Sequence, residues 1–484
     1  KSRYNKYVKN IEFVFRCYYL DWTKLNCGEI VPLCFSAFSF VFFIWKKLKI
    51  INEFIKKEVI KMDKNKKEQE KKKNWLGFQK KERIERIEML ENNDFLDKNT
   101  KKILLENENL PLEIANQITE NNIATFSLPM GIAPNFLIDG KEYAVPMVTE
   151  EPSVIAAASY AAKIISKCKG FKTIALDRKM TGEIALYDII DFEKAKNLIL
   201  KNENKILEIA NEAYPSIVKR GGGAICLEIK NFEEFLVVYL TVDVKEAMGA
   251  NILNTMLEGI KPLLEELTNS TALMGILSNY ATKSLVTATC EIDSKLLGGN
   301  HVAKKIDLAS KFAKIDTYRA ATHNKGIFNG IDAVVIATGN DWRGIEAAGH
   351  AFAAKNGKYE GLTTWTFDEK INKLKGELTL PMPVASVGGS IGLNPSVTAA
   401  FDILKNPSAI ELAKIIVSVG LAQNLAAIKA LVTTGIQKGH MKLQARTLAL
   451  FSGAKDDEVD LVVNTILEKK LIINSENIKN ISKN

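Results

Sequence analysis

The segment from 173 to 294 constrains this chain more than any other. It alternates strand-like and helix-like stretches in the order β-α-β-β-α-β. The stretches are EIALYDIID (183–191), FEKAKNLILKNENKILEIAN (192–211), AICLEIK (224–230), FLVVYLTVDVK (235–245), ILNTMLEGIKPLLEEL (252–267) and SLVTATCEI (284–292). Two strands in a row at the centre define the split β-α-β arrangement. A doubly wound sheet needs strict strand–helix repetition, and no G-x-G-x-x-G occurs. A dinucleotide bound by this chain is therefore not bound in the usual way.

The predicted fold is α+β: a ferredoxin-like, non-Rossmann module inserted into a larger body of helices and sheet. With 484 residues there is room for two or three domains. Residues 81–122 place Ile and Leu at helical spacing among charges and predict two or three short amphipathic helices. Residues 125–150 read as strand and loop. A helix follows, with Glu151 at its cap, Pro152 in its first position and Gly170 as its stop. IDAVVIAT (331–338) reads as a buried strand, residues 394–450 as mostly helix, and Gly453 as a break between two C-terminal helices. Polar residues from 475 on are expected to fray.

The net charge of +9 suggests nucleic acid until its position is considered. Residues 1–85 hold 21 Lys/Arg against 10 Asp/Glu, so the remaining residues sum to −2. A near-neutral body has no basic face to track phosphates, and nucleic-acid binding is not expected. Ile30–Trp45 is an uncharged run closed by two lysines, just short of the roughly 17–25 residues a spanning helix needs. It leaves membrane association open. Met62 begins a stretch that reads like the start of a soluble protein, and a cytoplasmic location is expected. The six cysteines form no C-x-x-C pair, which argues for a reducing compartment and against structural zinc.

Several residues stand out chemically. His323 and His440, two of only four histidines, lie in polar, glycine-containing surroundings; a lone His can also be merely structural. No two histidines have metal-ligand spacing, and no metal is expected. Lys325 sits between Asn324 and Gly326 in a low-charge segment. Asp341 follows IDAVVIAT and is either a reacting group at a strand end or a cap for the next helix. Glu150 and Glu151 precede the Ala-rich helix, where capping is the simpler alternative. Gly221–Gly223 imply close backbone approach or a flexible hairpin.

As a set these signals resemble one family. TEEPSVIAAASYAA, GGGA, KEAMGANILNT, YRAATHNKGIFNGIDAVVIATGNDWRGIEAAGHAFA, GLTTW, PMPVASVGG, GLAQNLAA and GIQKGHMKLQAR fall in the order and spacing of 3-hydroxy-3-methylglutaryl-coenzyme A (HMG-CoA) reductase, second class, over residues 74–470. The resemblance implies a four-electron reduction of HMG-CoA to mevalonate and CoA with two NAD(P)H, or its reverse. Lys325 resembles the cation that meets the carbonyl oxygen, Glu151 the acid that protonates it, and His440 the group that protonates the departing thiolate. Asp341 resembles the aspartate that hydrogen-bonds lysine and glutamate. Ser153, Arg319, Asn329 and Gln423 resemble the HMG contacts. Tyr214, Ser216, Glu246, Met248, Gly249, Asn251 and Asn279 resemble cofactor contacts. Glu246 departs from the family's Asp by one methylene.

Where NAD-specific members carry Asp, this chain has Tyr214, with Lys219 and Arg220 nearby. An acid would repel a 2′-phosphate, so NADPH is expected to be preferred, with NADH still usable. The resemblance also implies a homodimer with shared active sites and five segments. These are an extension (1–61), a large domain in two parts (62–176 and 283–434), a small NAD(P)-binding domain (177–282) and a C-terminal helical flap (435–484). Two rival readings are an inactive CoA-thioester-binding paralogue and a membrane-tethered interaction protein.

Overall fold

The computed structural model describes residues 75–389 and 391–435, together with 445, 448–449, 451–453, 458–468, 471 and 474–482. The apolar run at 30–45, Met62 and His440 lie outside the described residues.

Three short helices lead the described chain: α1 (Arg83–Asn92), α2 (Lys98–Glu106) and α3 (Leu112–Ile118). Glu82 and Glu85 form a reciprocal cap on α1, and the Asp97 side chain accepts the Thr100 N–H to start α2. A hairpin follows, β1 (Met130–Ile138) and β2 (Lys141–Val148). It leads into α4 (Val154–Ser166), whose buried face is Val154, Ala158, Ala161, Ala162, Ile164 and Ile165. The helix begins two residues later than its sequence suggests. Glu151 and Pro152 stay in the loop, and Ser153 becomes the N-cap with φ 75.

The split β-α-β module is present, with a different final strand. Its strands are β4 (Lys179–Tyr187), β5 (Gly223–Phe232), β6 (Phe235–Asp243) and β7 (Thr271–Leu277), following β3 (Lys172–Ala175). They form one antiparallel sheet in the order β5-β6-β4-β7. The stretch 284–292, read above as the closing strand, is β8 (Leu285–Asp293) and belongs to another sheet. The helix of 192–211 is two helices, α5 (Phe192–Lys201) and α6 (Glu203–Ala213), broken at Asn202. A short α7 (Pro215–Lys219) and a long α8 (Ala250–Thr268) complete the module. β4 alternates strictly between buried and half-buried, so one face feeds the core with Met180, Ile184 and Leu186. Gly182 lets α8 approach, since a Cβ there would meet Leu257 at 2.5 Å.

The second four-stranded sheet has the order β3-β8-β10-β9, with β9 (Thr363–Asp368) and β10 (Lys373–Pro381). Its core is shared with α4, the hairpin and a set of helices. Those helices are α9 (Ser294–Leu297), α10 (Asn300–Ile315), α11 (Thr317–Ala337), α12 (Trp342–Ala353), α13 (Pro395–Ile403) and α14 (Ala409–Val432). IDAVVIAT is the last third of α11, not a strand. Its β-branched residues are tolerated because Ile331, Val334 and Val335 are fully buried. At the C-terminus, α15 (Val459–Glu468) and α16 (Ser475–Ser482) share a small core. The residues from 475 are thus helical, with Ile478 buried, where fraying was expected.

Candidate active site

Helix α11 carries the chemistry on the side opposite its buried face. Lys325 and Asn329 lie one turn apart and both reach Glu151, which projects from the loop between β2 and α4. Lys325 Nζ donates to Glu151 Oε2 at 2.5 Å, and Asn329 Nδ2 donates to Oε1 at 3.2 Å. The Thr149 hydroxyl oxygen accepts the Glu151 N–H at 3.1 Å and fixes the loop. Ser153 holds a left-handed backbone conformation that non-glycine residues seldom adopt, and its side chain makes no capping bond. The pair remains open to solvent: the Lys325 side chain is 60% exposed and that of Glu151 34%.

Two further residues of this region have unused capacity. Arg319 is half-buried and its guanidinium has no carboxylate or carbonyl partner among the described residues. Burial alone holds its pKa below the ordinary value. Gln423, on α14, faces Gly330 of α11, and its buried Oε1 has no hydrogen bond among the described residues.

The opposite face of α11 is pinned by a buried polar network that the sequence reading missed. His323 Nε2 lies 2.6 Å from Thr363 Oγ1, and Asn424 Oδ1 accepts from Thr363 and from Trp365 Nε1, each at 2.8 Å. The Asn324 side chain donates to Glu360 O and accepts from Leu362 N. His323 is buried in the helix. Burial, then the Arg319 and Lys314 charges, push its pKa down to about 3, so the imidazole is neutral. The signal available in sequence was the i,i+1 pairs His323-Asn324 and Gln423-Asn424: on each helix both polar residues of the pair are buried.

Asp341 is elsewhere. It is the N-cap of α12, accepting the Gly344 N–H at 3.1 Å, and it forms no ion pair with Lys325. The hydrogen bonds to Lys325 and Glu151 implied by the resemblance are not made within this chain. The reason is the α11–α12 hairpin. Lys325 to Ala337 is about 18 Å of helix at about 1.5 Å per residue, and Asp341 sits beyond that end. Packing of Phe328 against Gly349 shows that α12 returns alongside α11, leaving Asp341 at the hairpin tip. Asn279 lies there too: a Cβ on Gly344 would meet both Asp341 and Asn279 Oδ1.

The remaining cofactor candidates sit on the split β-α-β module. Gly249 caps the 19-residue α8 at φ 103, and a Cβ there would meet Val244 at 2.4 Å. Met248 and Asn251 flank it at the helix N-terminus, where backbone N–H groups favour an anionic group. Tyr214 ends α6 half-buried, and Ser216 Oγ accepts from Arg220 at 3.4 Å. Gly222 approaches Asp243 O so closely that a Cβ would lie 2.4 Å away, so this glycine run serves close packing. Glu246 does not offer its Oε2 to a ligand: that oxygen accepts from Ser386 Oγ at 2.5 Å and from Ala409 N at 2.7 Å.

A Lys–Glu pair on a helix, with a glycine-capped helix N-terminus on a separate non-Rossmann module, has the parts of a dinucleotide-dependent oxidoreductase. The comparisons specify which one. The family model for hydroxymethylglutaryl-coenzyme A reductase matches residues 81–445, and the chain belongs to that family. It is similar to the 3-hydroxy-3-methylglutaryl-coenzyme A reductase of Archaeoglobus fulgidus, 45% identical over 77% of this chain and 85% of that protein. A Streptococcus pneumoniae reductase structure superposes with TM-score 0.74 at 55% identity, covering 84% of this chain and 98% of that one. A second structure from that organism, the class II enzyme bound to NADPH in open conformations, also gives 0.74 at 55% identity, over 74% and 100%. The chain is accordingly a class II NAD(P)H-dependent oxidoreductase of the mevalonate pathway that acts on HMG-CoA. The binding-only and tethering readings are not favoured.

Proposed function

We propose that this enzyme reduces HMG-CoA to mevalonate and CoA with NADPH as the preferred cofactor, in a homodimer whose sites are shared between chains. The observation that carries the chemistry is the Lys325–Glu151–Asn329 contact. Arg319 clamps the substrate carboxylate, and the free Gln423 Oε1 accepts the HMG hydroxyl. The thioester oxygen then lies at Lys325 Nζ, whose charge stabilises the negative charge that develops there. Glu151, in its protonated form, delivers its proton to that oxygen and is left as the carboxylate that accepts from Lys325, while Asn329 keeps its second oxygen oriented. His440 protonates the thiolate as CoA leaves.

The cofactor supplies hydride when bound. Met248, Gly249 and Asn251 would hold it at the α8 N-terminus, and Asn279 beside Asp341. Tyr214 in place of an acid, with Lys219 and Arg220 exposed nearby, supports acceptance of the 2′-phosphate. The small domain (177–282) is the cofactor domain. The two-part large domain (62–176 and 283–434) holds substrate, and the C-terminal segment (435–484) closes over the site to exclude water.

The helix hairpin that separates Asp341 from Lys325 supports the dimer. One chain cannot bring the two together, whereas a two-fold partner can present its own hairpin tip. The test is HMG-CoA-dependent oxidation of NADPH, then NADH, by the full chain and by Lys325→Ala. Turnover with NADPH that collapses in the variant while HMG-CoA still binds supports the reading. No turnover by the unaltered chain with either cofactor, despite HMG-CoA binding, overturns it.

A further inference from the structure

We infer that Arg178 and Glu246 are positioning residues that hold the cofactor loop in register with Asp341 through a three-residue strap, Val384–Ser386; this rests on the cofactor reading above.

The loop between β6 and α8 carries Met248 and Gly249, and three of its consecutive carbonyl oxygens are held from outside it. Arg178, in the β3–β4 connection, donates Nε to Lys245 O at 2.8 Å and Nη2 to Ala247 O at 2.6 Å. The oxygen between them, Glu246 O, accepts the Ser386 N–H at 3.0 Å. The third arm of Arg178, Nη1, reaches Val384 O at 2.5 Å. One guanidinium thus ties the loop to the segment that follows β10.

Glu246 makes the second tie. Its carboxylate accepts from the Ser386 hydroxyl and from the first N–H of the long helix α14. A charged acceptor at that helix end is favoured by the N-terminal dipole. The strap then continues to the hairpin tip. Ala385 donates its N–H to Asn340 Oδ1 at 2.6 Å and accepts from Asn340 Nδ2 at 3.1 Å, and Asn340 is the neighbour of Asp341. Residues 384, 385 and 386 therefore bond in turn to Arg178, Asn340 and Glu246.

Arg178 has no carboxylate in hydrogen-bond contact among the described residues; its half-buried guanidinium is spent on three carbonyls, and burial holds it below its ordinary pKa. Such a site demands a forked donor, which Lys cannot supply. The same geometry explains the extra methylene of Glu246. Its longer arm lets one carboxylate oxygen serve both Ser386 and Ala409, a reach that Asp would shorten.

The experiment compares Arg178→Lys, Glu246→Ala and Glu246→Gln with the unaltered enzyme in steady-state kinetics and direct NADPH and HMG-CoA binding. Arg178→Lys and Glu246→Ala are expected to raise the KM and Kd for NADPH about tenfold and to lower kcat, with HMG-CoA affinity unmoved. Glu246→Gln, which keeps the length and an acceptor oxygen, should recover most of the loss. Equal weakening of both ligands, or a lower melting temperature with both affinities intact, overturns the inference in favour of a purely structural role. Failure of the unaltered enzyme to bind NADPH would instead remove the cofactor reading itself, and this inference with it.

Discussion

The two ends of helix α11 solve different problems by different means. At the Lys325 end the candidate reactive groups are charged side chains on one face, and the other face is anchored by His323, Thr363, Asn424 and Trp365. At the Asp341 end the cofactor candidates lie on loops and a glycine cap, and the anchoring runs through backbone carbonyls to Arg178 and through Asn340. Substrate contacts need side-chain charge at a fixed point, so a rigid helix suits them. A dinucleotide needs close backbone approach, so glycine and turns suit it. The comparison teaches that the length of α11 keeps Lys325 and Asp341 apart within one chain, which is what the proposed shared site would need.

The sharpest way to break that comparison is complementation. Lys325→Ala and Asp341→Ala are each expected to lower kcat by roughly 10²–10³. If each complete site takes Lys325 from one chain and Asp341 from the other, mixed dimers of the two variants hold one intact site. Random exchange then restores about a quarter of full activity. Activity that stays at the level of the single variants after verified exchange would place both residues in one chain's site.

A smaller effect sharpens the substrate end. Gln423→Ala removes the buried acceptor on α14 and is expected to raise the KM for HMG-CoA about tenfold while leaving that for NADPH unchanged. A shift in the NADPH KM instead would mean that Gln423 supports α11 rather than touching substrate.

Much of this was legible in the sequence, and the failures have physical reasons. The order β-α-β-β-α-β was right, yet the last strand was misplaced. TALMGIL (271–277) is an edge strand whose Leu273, Met274 and Ile276 are exposed, so it lacks the period-two pattern of β4. SLVTATCEI has that pattern but spends it on the other sheet. IDAVVIAT looked like a strand because a short apolar run has no visible period when every side is buried. Glu151, Lys325 and Asn329 were named from motif and do meet. What no spacing could reveal was that α11 continues unbroken to Ala337 and carries Asp341 away from them. Arg178 was invisible for another reason: its partners are carbonyl oxygens, which leave no mark on residue type.

Buried titrating groups on α11 distinguish its two faces under acid. His323 stays neutral in the native state down to about 3, while an unfolded His takes up its proton near 6.5. Across that window the unfolded state holds more protons, so stability falls as pH drops from about 6.5 towards 3. The melting temperature is expected to decline over that range, and less steeply in His323→Gln. A parallel decline in both proteins would assign the acid sensitivity to other groups.

The smallest effect has the opposite sign and lies on the same hairpin. Burial, then the charge of and hydrogen bond to Glu346, raise the pKa of Asp332 well above the ordinary carboxylate range, and its Oδ1 has no hydrogen-bond partner among the described residues. The native state keeps a proton that the unfolded chain releases, so stability falls as pH rises through that interval. Asn at this position copies the protonated form without titrating. Asp332→Asn should therefore raise the melting temperature by a few degrees at alkaline pH, and the gain should vanish below the ordinary carboxylate value. Asp332 lies on α11 between Lys325 and the Asp341 tip, so the same variant also measures hairpin rigidity. If the stabilised protein keeps its affinities for HMG-CoA and NADPH, the spacing of the two half-sites depends on helix length alone; if either affinity shifts, the carboxylate pair helps to set it.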